Sequence, residues 1–560
     1  GIEFVESNSR YYPLGDFCSY VVGYAKSYND QSVKKMVGEM GLELSYDKQL
    51  KGKNGYKVYQ TDANGYALVD GTLREKDPTN GNDLYLTIDS GLQRNLDYLM
   101  SNAYSESGAE VVTAGVMEIK TGKILAMSTY PSFNPNERNI STFNNYFLEG
   151  TIECGSVFKP FIYADSIEEG KYDHNAYYNS GSYNVYYGNK LVATIKDHNG
   201  GQGWGTITYD QGLYHSSNVA ICNLLDQGYV TKDVLTEKLN DLGFFQGDTM
   251  DGLTCSSSIN AYTRKNAGRL EYLTTGFGQG STVTPYQLLK AYSVFGNDGK
   301  TVQPHIVDKV VNPETNKVVY QATPKYSKQI FSTNTISQVK DLMLGVIEDE
   351  QGTGKIYRLD NDVRMIGKTG TGQVVENGGY STTLYMHSFV GIAPYDDPQV
   401  VMFLTFKSGD SYAQYMPNIV KQTMNEALQV VNRYNAKNTT AVDQSCTLDS
   451  YTNQSVNYVK SKLESKSLSV QIIGNGSSVI EQYPLAKSKV TSGDKVFIKT
   501  EGKDITLPNL IGWSKKEVQT YASLAGIQLT IDGTSGHVTA QSVGENTVVH
   551  SGDSLTVAIS

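Results

Sequence analysis

The 560-residue chain has few cysteines, few histidines and no long apolar run, and each shortage removes a class of function. Its five cysteines, Cys18, Cys154, Cys222, Cys255 and Cys446, are odd in number and far apart with no C-x-x-C. Neither a disulfide framework nor a zinc site of ordinary spacing is expected from them. The seven histidines are scattered and no H-E-x-x-H occurs, so the expected metal content is none. No stretch of about 18 apolar residues exists, so no membrane span is expected, and the opening Gly1-Ile2-Glu3 carries no signal peptide. A surplus of positive charge is also missing. The net charge of -10 argues against nucleic acid as a partner and against adhesion to anionic lipid by charge alone.

What is present is enough chain for about three or four domains, organised around Glu153-Cys154-Gly155-Ser156-Val157-Phe158-Lys159-Pro160 and the apolar run behind it. Gly155 gives a flexible entry, Ser156 suits the first position of a helix, and Gly170 suits its stop. Ser156 and Lys159 are three apart and so share a helical face, where a desolvated lysine can take the proton of a serine nucleophile. Alone the spacing is common, recurring at Ser32/Lys35, Ser337/Lys340 and Ser492/Lys495. Two further motifs follow in order: Ser216-Ser217-Asn218 and Lys368-Thr369-Gly370-Thr371. S-x-x-K, S-x-N and K-T-G in this sequence form the set used by penicillin-binding proteins and serine β-lactamases. Another K-T-G, Lys120-Thr121-Gly122, precedes the serine and falls out of order.

Two glycine-bearing stretches are set aside. Gly276-Phe277-Gly278-Gln279-Gly280-Ser281 lacks dinucleotide spacing, and Gly352-Thr353-Gly354-Lys355 has Asp349 and Ile356 where a phosphate loop needs glycine and a hydroxyl. Leu84 to Asp89, Val111 to Ile119, Ile124 to Thr129, His387 to Pro394 and Val400 to Phe406 read as strands. Leu92 to Met100 and Asn418 to Asn432 read as helices, and Ala436 to Gln444 as a polar linker. Tyr172 to Trp204, rich in Tyr, Asn and Gly, has hairpin character. The tail repeats at a fixed offset, so that Gln482 recurs as Gln541, Val490 as Val549 and Leu448 as Leu507.

On these motifs the chain resembles the class B penicillin-binding proteins, monofunctional D,D-transpeptidases of peptidoglycan synthesis, and its tail resembles their PASTA modules. Arg10-Tyr11-Tyr12-Pro13 looks like the R-x-Y-P segment of that family, and Leu507-Pro508-Asn509-Leu510 like a PASTA opening. The first copy has Asp449-Ser450 in place of Pro508-Asn509. The resemblance implies an α+β multidomain fold: a pedestal or dimerisation remnant at 1–78, a transpeptidase domain of the penicillin-binding and serine β-lactamase type at 79–437, and small α+β PASTA modules at 444–501 and 503–560. It also implies an anchor helix preceding Gly1, a place on the outer face of a bacterial cytoplasmic membrane, and no cofactor. Partners would be stem peptides, β-lactams, a SEDS-type glycosyltransferase and division or sporulation proteins.

By the same resemblance Ser156 is the nucleophile and Lys159 its base. Ser216 relays a proton, and Asn218 holds the substrate amide. Lys368 adds charge, and Thr369 and Thr371 take the substrate carboxylate. Gly370 is expected to be glycine so that substrate backbone can approach. The amides of Ser156 and Thr371 would form the oxyanion hole. Two alternatives stand beside this reading: a β-lactam hydrolase or sensor, and an inactive cell-wall-binding protein. Cys154 is read as a small buried residue rather than a reactive thiol, and His215 as a helix-face residue rather than a base. Cys154, His174, Asp197 and His198 would make a zinc set only if folding gathered them.

Overall fold

Strand Val400–Ser408 is apolar from Val400 to Leu404 and almost wholly buried, the pattern of a strand covered on both faces. It is the middle of a five-stranded antiparallel sheet. The strands are β1 (Val111–Glu118), β2 (Ile124–Tyr130), β3 (Ile366–Glu376), β4 (Gly379–Ala393) and β5 (Val400–Ser408), in the order β3-β4-β5-β1-β2. The computed structural model describes residues 9–30, 33–64, 66–360, 363–376, 378–438, 445–464, 466, 468–491, 494–533 and 536–559. They divide into two compact units, 1–12 with 16–431 and 13–15 with 432–560.

Helix α1 (Ser90–Ser107) is capped by the Asp89 carboxylate and packs on β1 and β2 through Leu92, Leu96 and Met100. Helix α2 (Lys159–Glu168) is buried from Lys159 to Ile167, so it runs through the interior rather than over it. Phe161 on this helix meets Phe244, Tyr292 and Phe295 at ring separations of 5.0 to 5.6 Å, and Phe158 just before it meets Phe244 at 5.2 Å. Helices α3 (Asn218–Asp226), α4 (Pro285–Tyr292) and α5 (Thr333–Glu348) surround it, and α6 (Met416–Asn438) follows β5. The expected linker therefore begins later than its composition suggests, since α6 runs to Asn438, and 439–444 lie outside the described residues. Near the start of the chain Tyr56–Thr61 pairs antiparallel with Ala67–Lys76. Arg10 and Tyr12 of the R-x-Y-P segment converge on the Glu43 carboxylate, at 3.0 and 3.3 Å.

In the second unit each repeat has one helix, Val456–Glu464 or Lys515–Ala525, and a three-stranded sheet with its last strand in the middle. The recurring glutamine has a structural reason. The side-chain oxygen of Gln482 accepts from the Tyr451 amide at 2.7 Å, and that of Gln541 from the Leu510 amide at 2.7 Å. Ile473 and Phe497 of the first repeat share a core with Trp513 and Tyr521 of the second. Lys495 stacks 3.6 Å over the Trp513 ring.

Candidate active site

Gly155 turns the chain with φ of +62°, and Gly155–Phe158 forms a 3-10 turn before α2 begins at Lys159. Ser156 therefore precedes the α-helix rather than opening it. A 3-10 turn aligns side chains three apart, which is the spacing of Ser156 and Lys159. The turn is pinned from two sides. Gly155 donates to the Gly278 carbonyl at 3.0 Å, and the Tyr292 hydroxyl donates to the Val157 carbonyl. A side chain on Gly278 would sit 2.2 Å from the Gly155 carbonyl oxygen, which explains glycine in that loop.

Lys159 and Lys368 are both fully buried, yet both reach the second motif. Nζ of Lys159 donates to the Ser216 carbonyl at 2.5 Å and to Ser216 Oγ at 3.3 Å, while Nζ of Lys368 donates to Ser216 Oγ at 2.9 Å. Burial pushes the Lys159 ammonium down to about 7, against the opposing pull of Asp197. Burial and the neighbouring Lys159 push Lys368 well below the ordinary lysine range. The pair accordingly carries fewer than two protons near neutral pH.

Ser216 is held in the left-handed region at φ of 58°, which is costly for serine and points to a turn fixed from outside. The fixing group is the buried Asp197 carboxylate. Its Oδ1 accepts from Ser217 Oγ at 2.8 Å, the Asn218 amide at 2.7 Å and the Val219 amide at 3.1 Å, and its Oδ2 accepts from the Gly181 amide at 2.8 Å. A carboxylate at the N-terminus of α3 is also favoured by the helix dipole. Asn218 Nδ2 donates to the Lys196 carbonyl at 2.9 Å, at the end of the hairpin Ser182–Tyr187 and Lys190–Lys196.

The third motif lies on β3, an edge strand whose outer side is unpaired in the sheet. Alternation turns Lys368, Gly370 and Gly372 toward the nucleophile turn and leaves Thr371 exposed, while Thr369 donates to Thr353 Oγ1 at 3.0 Å. Gly370 has a reason within the protein as well. A Cβ there would meet the Cys154 carbonyl oxygen at 2.7 Å and Val157 Cγ1 at 3.0 Å, so the close approach is within the protein. Ser156, Ser216, Asn218, Thr369, Gly370 and Thr371 line one cleft of about 890 Å³.

With this geometry in view, three family profiles match the chain. The penicillin binding protein transpeptidase domain covers residues 112–429, the penicillin-binding protein dimerisation domain 1–86, and the PASTA domain 447–502 and 505–560. The chain belongs to the penicillin-binding proteins. Stage V sporulation protein D of Bacillus subtilis (strain 168) is 30% identical over 524 residues, 90% of this chain and 77% of that protein. The peptidoglycan D,D-transpeptidase FtsI homolog of Mesostigma viride is 28% identical over 72% of this chain and 69% of its own length. Penicillin binding protein 2X of Streptococcus thermophilus shares the fold with a TM-score of 0.67, at 24% identity over 98% of this chain and 82% of that one. The class B architecture expected from the motifs is therefore present.

The remaining expectations for this penicillin-binding protein concern its cysteine, histidines and glycine-bearing loops. Cys154 is buried and its thiol is pushed up by that burial, as a small packed residue should be. His174 pairs with Asp210 and Gln338, His198 donates to the His215 carbonyl, and Asp197 caps α3. Among the described residues no group of three or more metal-ligating side chains forms. His215 stacks on Trp204 at 4.6 Å. The out-of-order K-T-G closes the turn between β1 and β2, where Lys120 donates to the Gly296 carbonyl. The loops set aside as nucleotide sites do reach the cleft, through Gln279, Gly280 and Thr353. Tyr380, Tyr385 and Tyr412 line it too, and no local pattern in the sequence singles them out.

Proposed function

We propose that this chain is a peptidoglycan D,D-transpeptidase working through a Ser156 ester. One observation carries the reading: a single hydroxyl, Ser216 Oγ, lies 3.3 and 2.9 Å from two buried lysine nitrogens in the cleft on which Ser156 opens. Neutral Lys159 takes the Ser156 proton as Oγ bonds to the carbonyl carbon of a penultimate D-alanine. The amide C–N bond breaks, and the departing terminal D-alanine amine receives a proton by way of Ser216. An amine from a second stem peptide then attacks the ester, loses a proton, and frees Ser156. Lys368 adds charge, Thr369 and Thr371 receive the substrate carboxylate, and Asn218 its amide. The amides of Ser156 and Thr371 face the developing oxyanion, each donor contributing about 2.7–4 kcal/mol in comparable sites. The unpaired side of β3 offers main-chain pairing to an extended peptide.

A β-lactam would acylate the same serine, and ring opening leaves no small group to depart. Exposure to a penicillin, intact-mass measurement and peptide mapping test the assignment. A stable adduct on Ser156, lost in Ser156→Ala with the fold retained, is expected. Rapid release of hydrolysed drug would instead favour a β-lactam hydrolase. Binding to cell-wall material with no adduct would favour an inactive binding protein.

The division 1–78, 79–437, 444–501 and 503–560 is kept as the working domain map. Action at the outer face of the cytoplasmic membrane, beside a SEDS-type glycosyltransferase and division or sporulation proteins, belongs to this proposal. Among the described residues no helix is long and apolar enough to cross a membrane.

A further inference from the structure

Among the described residues, buried polar side chains outside the three motifs include Asp97 with Ser128, Asp165 on α2, and Asp197 beside the cleft. The third connects directly to the chemistry. We propose that Asp197 is a positioning residue, its carboxylate locking the Ser216-Ser217-Asn218 turn in place and joining it to the base of the hairpin that walls the cleft. This rests on the reading of Ser156 and Lys159 given above.

Asp197 follows the hairpin and Gly181 precedes it, and the two are tied twice. The Asp197 amide donates to the Gly181 carbonyl at 2.9 Å, and the Gly181 amide donates to Oδ2 at 2.8 Å. Oδ1 meanwhile takes three donors from Ser217, Asn218 and Val219. One side chain thus fixes the cleft wall formed by Ala193 to Lys196 and the strained backbone of Ser216. Asparagine could not reproduce this, because its Nδ2 cannot accept from Gly181.

The carboxylate has a second effect. Groups facing Lys159 are Asp197 and His198 beyond the hairpin, Cys222 on α3, and Lys368 on β3. Asp197 favours the protonated form of Lys159, so its negative charge keeps the base from titrating lower still.

The test is the rate of penicillin acylation against pH for the parent, Asp197→Asn and Asp197→Glu, with thermal melts of each. A mapped Ser156 adduct in the parent secures the underlying reading independently. Asp197→Asn should slow acylation by up to about 100-fold, the loss typical of a displaced reacting group. The acid limb of its profile should move to lower pH. Asp197→Glu should also be slow but keep the parent limb. Parental rates in either folded variant, or an unmoved limb in Asp197→Asn, would overturn the proposal. Should Asp197→Asn not fold, a parental rate in Asp197→Glu overturns it alone.

Discussion

Lys159 and Lys368 converge on the hydroxyl of Ser216, the first at 3.3 Å and the second at 2.9 Å, with neither side chain open to solvent. Two ammonium groups cannot share so dry a place cheaply, so a proton leaves the pair well below the ordinary lysine range. A base is thereby available at neutral pH without histidine.

Acylation should therefore rise with pH through about 7, where Lys159 becomes neutral, and then level off. An arginine cannot lose its proton under these conditions. Lys159→Arg should slow acylation by about 10²–10⁴-fold, the usual contribution of a general base. Stopped-flow or gel-based acylation of the parent between about pH 5 and 9 checks the first point, and a flat profile would sink it.

Gly370→Ala places a methyl against the Cys154 carbonyl oxygen and Val157, both in the turn that carries Ser156. Neither neighbour is a flexible side-chain end, so β3 must move away from the nucleophile. We expect a lower melting temperature and an acylation rate reduced by about 10²-fold, as for other small misplacements. A variant acylating at the parental rate would show that the contact yields harmlessly.

Asp165, on α2, is buried with neither carboxyl oxygen hydrogen-bonded among the described residues, and burial holds it protonated well above the usual carboxylate range. The unfolded chain ionises near pH 4 while the folded chain does not. Stability should fall by about 1.4 kcal/mol per pH unit above that point until the folded group also ionises. Asp165→Leu removes the penalty, so its melting temperature should exceed the parent's at pH 7 and the gap should narrow toward pH 4. A gap independent of pH contradicts this account.

Phe497 ties the two tail repeats, lying 5.8 Å from the Trp513 ring and 6.4 Å from that of Tyr521. Phe497→Ala should cost about 3–5 kcal/mol. Hydrogen exchange in the full chain should accelerate in both Ser469–Ile473 and Lys515–Ala525. Loosening confined to the first repeat would mean that the shared core contributes little.

The three motifs were legible because their spacing is local and the chemistry demands specific residue types. The central strands were legible because burial on both faces leaves an apolar run, as in Val400–Ser408. Asp197 was not, since its side-chain partner Ser217 lies 20 residues away and only folding supplies the donors. The contact of Gly370 with the nucleophile turn was not legible, because a missing Cβ looks the same in sequence whether it makes room for a ligand or for a neighbouring loop. Helix periodicity also cannot separate a 3-10 turn of four residues from the first turn of an α-helix.

Strand β3 sends Lys368 and Gly370 inward while Thr371 faces out. Adding or deleting one residue there would exchange the two sets at a stroke, whereas a change of two would restore their parity. Between Lys368 and Thr371 a length change would therefore keep the facing of these side chains only in even steps, whereas past Gln373 the pairing with β4 is already irregular.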